Sequence, residues 1–167
     1  MEQKDKGQKV SPRHLARVFA LLGVYQWFAD PTRDYASIEA HLSGLLQDDD
    51  GEVVEGTNVL LRDFVLADKA FFAQILEGSL NRQAEIQKIV AEAVDRDWNH
   101  VSMVERCVLV LGTFELLACP ETPYRVILNE YIELAKEFGS GHRYTNAVLN
   151  TIAAKLRDVE VKVLQTR

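Results

Sequence analysis

The sequence predicts an all-α protein, and three observations support this fold class. Apolar side chains recur at the three- and four-residue spacing of a helix along most of the 167 residues. No segment shows the sustained alternation of a half-buried strand, and helix-start signals precede several of the apolar segments. With 47% hydrophobic residues, the chain can bury one core, or two small ones packed together. We therefore predict about seven helices in two small packed bundles.

The first two predicted helices lie before an acidic segment. Ser11 can cap a helix that Asp30-Pro31 ends, and a second helix follows at about 35–46. The next residues, DDDGEVVEG at 48–56, indicate an exposed acidic loop. We expect this loop to separate sub-bundles at about 11–47 and 57–167 within one domain spanning 11–167, and residues 1–10 to form a flexible basic tail.

The second half contains the most apolar segment of the chain. A longer helix is expected from Thr57 or Asn58 through Leu76, and another around Ile86 to Val94. Ser102 and Glu105 fit a capping box that opens ERCVLVLGTFELLA, a run apolar on nearly every side and therefore the predicted central helix. Two more helices are expected, from Thr122-Pro123 to Gly139 and from about His142 onward.

Composition and residue spacing argue against several function classes. No apolar run approaches the roughly 20 residues needed to cross a bilayer, and the polar N-terminus is unlike a signal peptide, which predicts a cytoplasmic protein without membrane contact. Cys107 and Cys119 lie in apolar surroundings, which is typical of buried, reduced thiols. No metal-ligand spacing is present. We therefore expect neither an enzyme nor a bound cofactor.

Charge is distributed unevenly along the chain. The formal net charge is −6, but residues 1–29 carry five Lys or Arg against two acidic residues, and residues 30–119 carry seven against seventeen. Residues 120–167 are nearly balanced. A polyanion could therefore dock on the two ends of the chain if the fold brings them together.

Four segments of the sequence carry a family resemblance. They are ARVFALLGVYQW (16–27), VERCVLVLGTFELL (104–117), PYRVILNEYIELAKEFG (123–139) and HRYTNAVLN (142–150). In this order and spacing they resemble the NusB family of bacterial transcription antitermination factors. The resemblance implies a small RNA-binding protein that pairs with NusE, a ribosomal small-subunit protein. Together the two would hold boxA RNA of nascent ribosomal transcripts within the RNA polymerase antitermination complex.

The candidate RNA-binding residues lie near two predicted helix starts. Arg13, His14 and Arg17 add cations to a helix N-terminus that already attracts anions, although a solvated helix end would show the same composition. Tyr144 stands where the family motif carries an aromatic, with Arg143 beside it and Arg125 at the start of the preceding helix. Tyr144 can stack on a base, or it can close the last helix onto the core.

Two further residues are candidates for the NusE surface, and other functions stay open. The resemblance puts Tyr25 and Glu105 there, although Tyr25 can equally be core and Glu105 can be held in its capping box. The alternative from another class is a helical protein-interaction module, or a homodimer, without RNA binding. A third reading is the RNA-binding domain of an rRNA methyltransferase, but no glycine-rich cofactor loop is present. An RNA binder should expose Arg13, Arg17, Arg143 and Tyr144 on one patch.

Overall fold

The computed structural model of the protein describes residues 10–47, 51–54 and 57–165. These ranges contain no strand, only an isolated antiparallel bridge between Val53 and Leu60, and the all-α class is confirmed. The α-helices are α1 (Pro12–Ala29), α2 (Tyr35–Gln47), α3 (Lys69–Asn81), α4 (Gln83–Ala93), α5 (Met103–Ala118), α6 (Tyr124–Glu137), α7 (His142–Leu156) and α8 (Asp158–Gln165). Two 3₁₀ helices, Leu61–Leu66 and Trp98–His100, complete the described elements. No helix in these ranges is both long and apolar enough to cross a membrane.

The central position predicted for the most apolar segment is confirmed in α5. Every residue from Cys107 to Leu116 is buried, and α1, α3, α4, α6 and α7 all pack against this helix. Gly112 lets α7 approach closely, since a Cβ atom there would lie 2.9 Å from Leu149 Cδ2. A helix surrounded on all sides must be apolar around its whole circumference, which is what its sequence shows.

The helices do not divide at the acidic segment. α1 packs most extensively against α3 and also against α5, whereas its contact with α2 is smaller. The expected sub-bundles 11–47 and 57–167 are therefore packed into each other, because α1 needs more apolar cover than α2 alone provides. Residues 48–50, 55 and 56 of the predicted acidic loop, and residues 1–9 of the predicted tail, lie outside the described residues.

The single long helix expected after residue 57 is wrong. Leu61–Leu66 forms a 3₁₀ helix, Ala67 is extended, and Asp68 then caps α3 by accepting a hydrogen bond from Phe71 N at 3.0 Å. Asp68 N also donates to Pro12 O at 3.0 Å, which ties the start of α3 to the start of α1. The predicted stop at Gly139 is confirmed by its left-handed φ of 69°.

Helix α8 does not appear in the sequence prediction, and it completes the ends of two other helices. Arg157, at the break between α7 and α8, donates to Leu116 O at 2.7 Å and to Cys119 O at 2.8 Å, at the end of α5. Glu160 of α8 accepts from Tyr124 N at 2.8 Å, at the start of α6. Carbonyls and amides at helix ends lack partners within their own helix, so these side chains satisfy them.

Candidate nucleic-acid interface

Arg17 does not lie on the surface, which corrects its assignment as an RNA contact. Its side chain forms a two-pronged ion pair in the core, with Nε 2.9 Å from Glu115 Oε2 and Nη2 2.9 Å from Glu115 Oε1. Arg17 is 3% exposed and Glu115 is fully buried. Tyr131 donates its hydroxyl to the same carboxylate. The guanidinium balances the buried Glu115 charge. The helix pattern predicted that this face of α1 would be exposed, but α5 packs against α1.

His14 is engaged on both ring nitrogens. Nδ1 lies 3.1 Å from Glu130 Oε2 and Nε2 lies 2.9 Å from Glu137 Oε1, so the ring bridges two turns of α6. The hydrogen bonds to Glu130 and then Glu137 raise the pKa of His14 to about 9, and the imidazolium form prevails at neutral pH. The hydrogen bond from His14 also lowers the pKa of Glu130. The ring therefore fastens α1 to α6 and has no nitrogen left for a phosphate.

Arg13 is the member of the first cluster that stays exposed. Its guanidinium carbon lies 4.3 Å from the centre of the Phe71 ring, at the start of α3. Ser11 caps α1 as predicted, accepting from His14 N at 3.0 Å. A guanidinium supported on a ring beside a helix start is well placed to meet a phosphate.

The remaining predicted cations lie at opposite ends of α6. Arg125 is exposed in its first turn, and Arg143 is exposed in the first turn of α7, beyond the Gly139–Gly141 link. Fourteen residues of α6 separate these ends, a rise of about 21 Å. Arg17 is buried and Tyr144 is half-buried, so the four residues predicted to share one exposed patch, Arg13, Arg17, Arg143 and Tyr144, are not all exposed.

Tyr144 is half-buried, and its ring is covered by an arginine that sequence reasoning missed. Arg96 Cζ lies 3.7 Å from the centre of the Tyr144 ring. The Tyr144 hydroxyl is buried and has no hydrogen-bond partner among the described residues. Burial raises the pKa of Tyr144, while the Arg96 charge opposes this shift. Arg96 lies in the turn after α4, and no helical spacing in the sequence predicts that a residue there contacts α7.

Glu105 and Tyr25 occupy accessible positions near the same end of the molecule. Glu105 is half-buried, and its backbone N donates to Ser102 Oγ at 3.2 Å. Its carboxylate makes no return bond to Ser102 in the part of the chain that the structure describes, so half of the predicted capping box forms. Instead, Oε1 lies 3.1 Å from where a Cβ atom of Gly141 would stand. Tyr25 is 47% exposed on α1 and is not a core residue.

A row of aromatic contacts connects the end of α1 to the start of α5. Phe28, one turn after Tyr25, has its ring centre 6.4 Å from that of Trp98. Arg106, the neighbour of Glu105, lies 5.3 Å above the Trp98 ring and donates to Trp98 O at 2.9 Å. This row brings together the end of α1, the helix that carries Tyr25, and the start of α5, the helix that carries Glu105.

Neither metal binding nor thiol chemistry finds support among residues 10–47, 51–54 and 57–165. No group of three or more His, Cys, Asp or Glu side chains there is placed to hold a metal ion. Cys107 and Cys119 are free and buried. Burial raises the pKa of both thiols, to about 11 for Cys119, which opposes formation of a nucleophilic thiolate at neutral pH.

Comparison with known proteins identifies related chains of nearly the same extent. A family model described as the NusB family matches residues 14–154, a range that includes every predicted site residue except Arg13. The transcription antitermination protein NusB of Dechloromonas aromatica (strain RCB) is 43% identical over 161 residues, covering 95% of this chain and 88% of that protein. The protein of the same name from Nitrosococcus oceani is 41% identical over 152 residues, covering 90% of each chain. That of Ralstonia nicotianae is 38% identical over 160 residues, covering 95% of this chain and 92% of its own.

Proposed function

The chain belongs to the NusB family, and from this premise we propose that it is a transcription antitermination factor. In this role it binds boxA-type single-stranded RNA of nascent ribosomal transcripts, pairs with the ribosomal protein NusE, and helps RNA polymerase to pass terminators. The observation that carries the proposal is the match over most of the chain to relatives named transcription antitermination protein NusB. Those relatives bear the name of a transcription factor and not of an enzyme, in agreement with the prediction.

The exposed cations support RNA contact at two places. Arg13 stands at the start of α1, and Arg143 stands at the start of α7 beside the Arg96–Tyr144 pair. Both can neutralise phosphates, and Arg125 can add a third contact at the start of α6. Arg17 and His14 are not part of this set, because their polar atoms are engaged within the fold. Because the protein would act on RNA while that RNA is being transcribed, we propose that it works in the cytoplasm.

Tyr25 and Glu105, on helices whose ends the aromatic row brings together, support a protein partner at one surface. Tyr25 offers an exposed aromatic ring, and Glu105 offers a half-buried carboxylate near the start of α5. Exposed aromatic side chains are common at protein interfaces, where the partner also covers the charged groups beside them. We propose this surface as the one that NusE contacts.

The RNA half of the proposal is tested by binding of a boxA-containing RNA at several salt concentrations. Arg13→Ala and Arg143→Ala should each weaken binding and lower the slope of log K against log salt by about 0.7, the contribution of one phosphate contact on a single strand. Arg82→Ala is the control, because Arg82 is a partly exposed arginine paired with Glu85 at the far end of α3. Equal slopes for all four proteins would contradict the assignment.

The partner half is tested with NusE in the absence of RNA. Glu105→Lys and Tyr25→Ala should weaken the heterodimer while the helical circular-dichroism signal stays unchanged, since a reversed charge at an interface costs more than one in solvent. Glu77→Lys, an exposed acidic position on α3, serves as the control for charge reversal. Unchanged NusE affinity in both test variants would remove this surface from the proposal.

A further inference from the structure

The contact between Arg96 and Tyr144 joins the turn after α4 to the first turn of α7. The 3.7 Å distance from Arg96 Cζ to the ring centre is the shortest of the cation–ring distances among the described residues. Arg96 nevertheless keeps 45% of its side chain exposed. Because the Tyr144 hydroxyl is buried without a partner, the tyrosine offers RNA no polar atom at that end. A ligand that approaches this ring face meets the guanidinium first.

Arg96 also lines a surface depression that Tyr144 does not reach. Its other walls include Gln87 and Ala91 of α4, together with Val94 and Trp98, which follow that helix. Tyr144 lines a second, smaller depression with Ala147 and Thr151 of α7. Asp95 borders both depressions, so the stacked pair stands between them. The larger depression offers apolar side chains and an aromatic residue beside an exposed planar cation.

We propose that Arg96 is a further RNA-contacting residue, whose guanidinium rests on Tyr144 and stacks one nucleobase of single-stranded RNA in the Arg96–Trp98 depression. This inference rests on the proposed RNA-binding function and extends it to a residue outside the predicted set. Guanidinium planes are established stacking surfaces for splayed bases in single-stranded RNA. Contact with the tyrosine ring holds this plane before RNA arrives, which reduces the ordering cost of binding.

The neighbouring carboxylates favour a base over a phosphate at this position. Asp95 Oδ1 lies 3.9 Å from Arg96 Nε, and 85% of the Asp95 side chain is exposed. A phosphate in the depression would be repelled by Asp95 and by Asp97, which also lines it. A carboxylate accepts hydrogen bonds from the exocyclic amino groups of cytosine, adenine or guanine, which uracil lacks. The depression should therefore prefer a base that carries an amino group.

The decisive variant is Arg96→Lys, which keeps the charge but removes the stacking plane. It should weaken binding of boxA-containing RNA about five- to tenfold without changing the salt slope, because base stacking displaces no counterions. Arg82→Lys is the control, on a partly exposed arginine that lies over no aromatic ring among the described residues. Thermal melting of the free proteins checks that the fold is unchanged, and Arg13→Ala and Arg143→Ala report on phosphate binding in the same assay.

A scan with single abasic sites locates the base. One position should lose affinity in the parent protein but lose little more in Arg96→Lys, because the stacking partner is already absent. Uracil at that position should weaken parent binding, and this discrimination should disappear in Asp95→Ala. Equal affinities of Arg96→Lys and the parent for RNA, with Arg13→Ala and Arg143→Ala still weakened, would overturn this inference alone. A parent protein that binds no boxA-containing RNA would overturn the proposed function as well.

Discussion

Replacing Arg17 by alanine tests whether its charge belongs to the core or to an RNA site. The substitution leaves the fully buried Glu115 carboxylate without the two 2.9 Å hydrogen bonds that now balance it. Removing one partner of a buried ion pair costs about 3–5 kcal/mol. Small domains have a free energy of unfolding of about 5–15 kcal/mol, so the loss is a large share of the total.

The assay is urea unfolding followed by circular dichroism. With an m-value of about 2 kcal/mol/M, a loss of 3–5 kcal/mol moves the unfolding midpoint down by about 1.5–2.5 M. The double variant Arg17→Met with Glu115→Leu removes both charges and should recover most of the loss, since apolar side chains can replace a buried ion pair. Arg13→Ala, which removes an exposed arginine one turn earlier, should change the midpoint little.

The contrary result is equally distinct. If Arg17→Ala unfolds within about 1 kcal/mol of the parent and binds boxA-containing RNA more weakly with a lower salt slope, Arg17 is a surface RNA contact. The sequence pattern would then have been right, and the buried pair with Glu115 would not describe the protein in solution.

Three further predictions concern stability. The pKa of His14 is about 9 in the fold and 6.5 unfolded, so its contribution of at most about 3 kcal/mol is fully present below pH 6.5 and is lost as pH rises through 9. Urea unfolding of the parent and His14→Gln at pH 6 and pH 9.5 should therefore differ most at pH 6; a difference that grows with pH would reverse the assignment. Leu111→Ala, at a fully buried position in α5, should cost about 2–5 kcal/mol of unfolding free energy, and a loss below about 1 kcal/mol would mean that α5 is not central. Arg157→Ala should lower the free energy of unfolding by about 2–3 kcal/mol, because carbonyls at the end of α5 lose their hydrogen-bond donors. Thermal melting measures this loss, and a variant that melts at the same temperature as the parent would show that the cap contributes little.

Helical periodicity predicts the central features of this fold because they depend on local sequence. The apolar circumference of α5 marks it as the buried helix, and Ser11 and Ser102 mark helix starts that the structure confirms. The predicted long helix after residue 57 fails because Asp68 caps a new helix, a local signal that apolar spacing alone does not show, and Asp68 N is also bonded to Pro12 O of α1. α8 is only eight residues long, and its Val159, Val161 and Val163 stand at alternate positions instead of the three- and four-residue spacing that marks the other helices.

The candidate site depends more on tertiary contacts, and the sequence predicts less of it. The four-residue spacing of Arg13 and Arg17 suggests that both lie on one exposed face of α1. That argument fails because the fold buries Arg17 and leaves only Arg13 exposed. The sequence does hold a signal for the buried pair, since Glu115 is the one charge in the stretch from Cys107 to Cys119. A charge in such a stretch requires a buried partner. No comparable signal relates Arg96 to Tyr144, because only the packing of α4 against α7 brings them together.

The most direct test of the proposed function is a titration of a boxA-containing RNA with this protein, with and without NusE. We predict salt-dependent binding by the protein alone and tighter binding when NusE is present, because Glu105 of the proposed NusE surface lies against Gly141, just before the helix that carries Arg143 and Tyr144. An RNA of the same length with a scrambled sequence should bind more weakly. Absence of RNA binding in both titrations, or equal affinity for the scrambled RNA with NusE present, would contradict the proposed function.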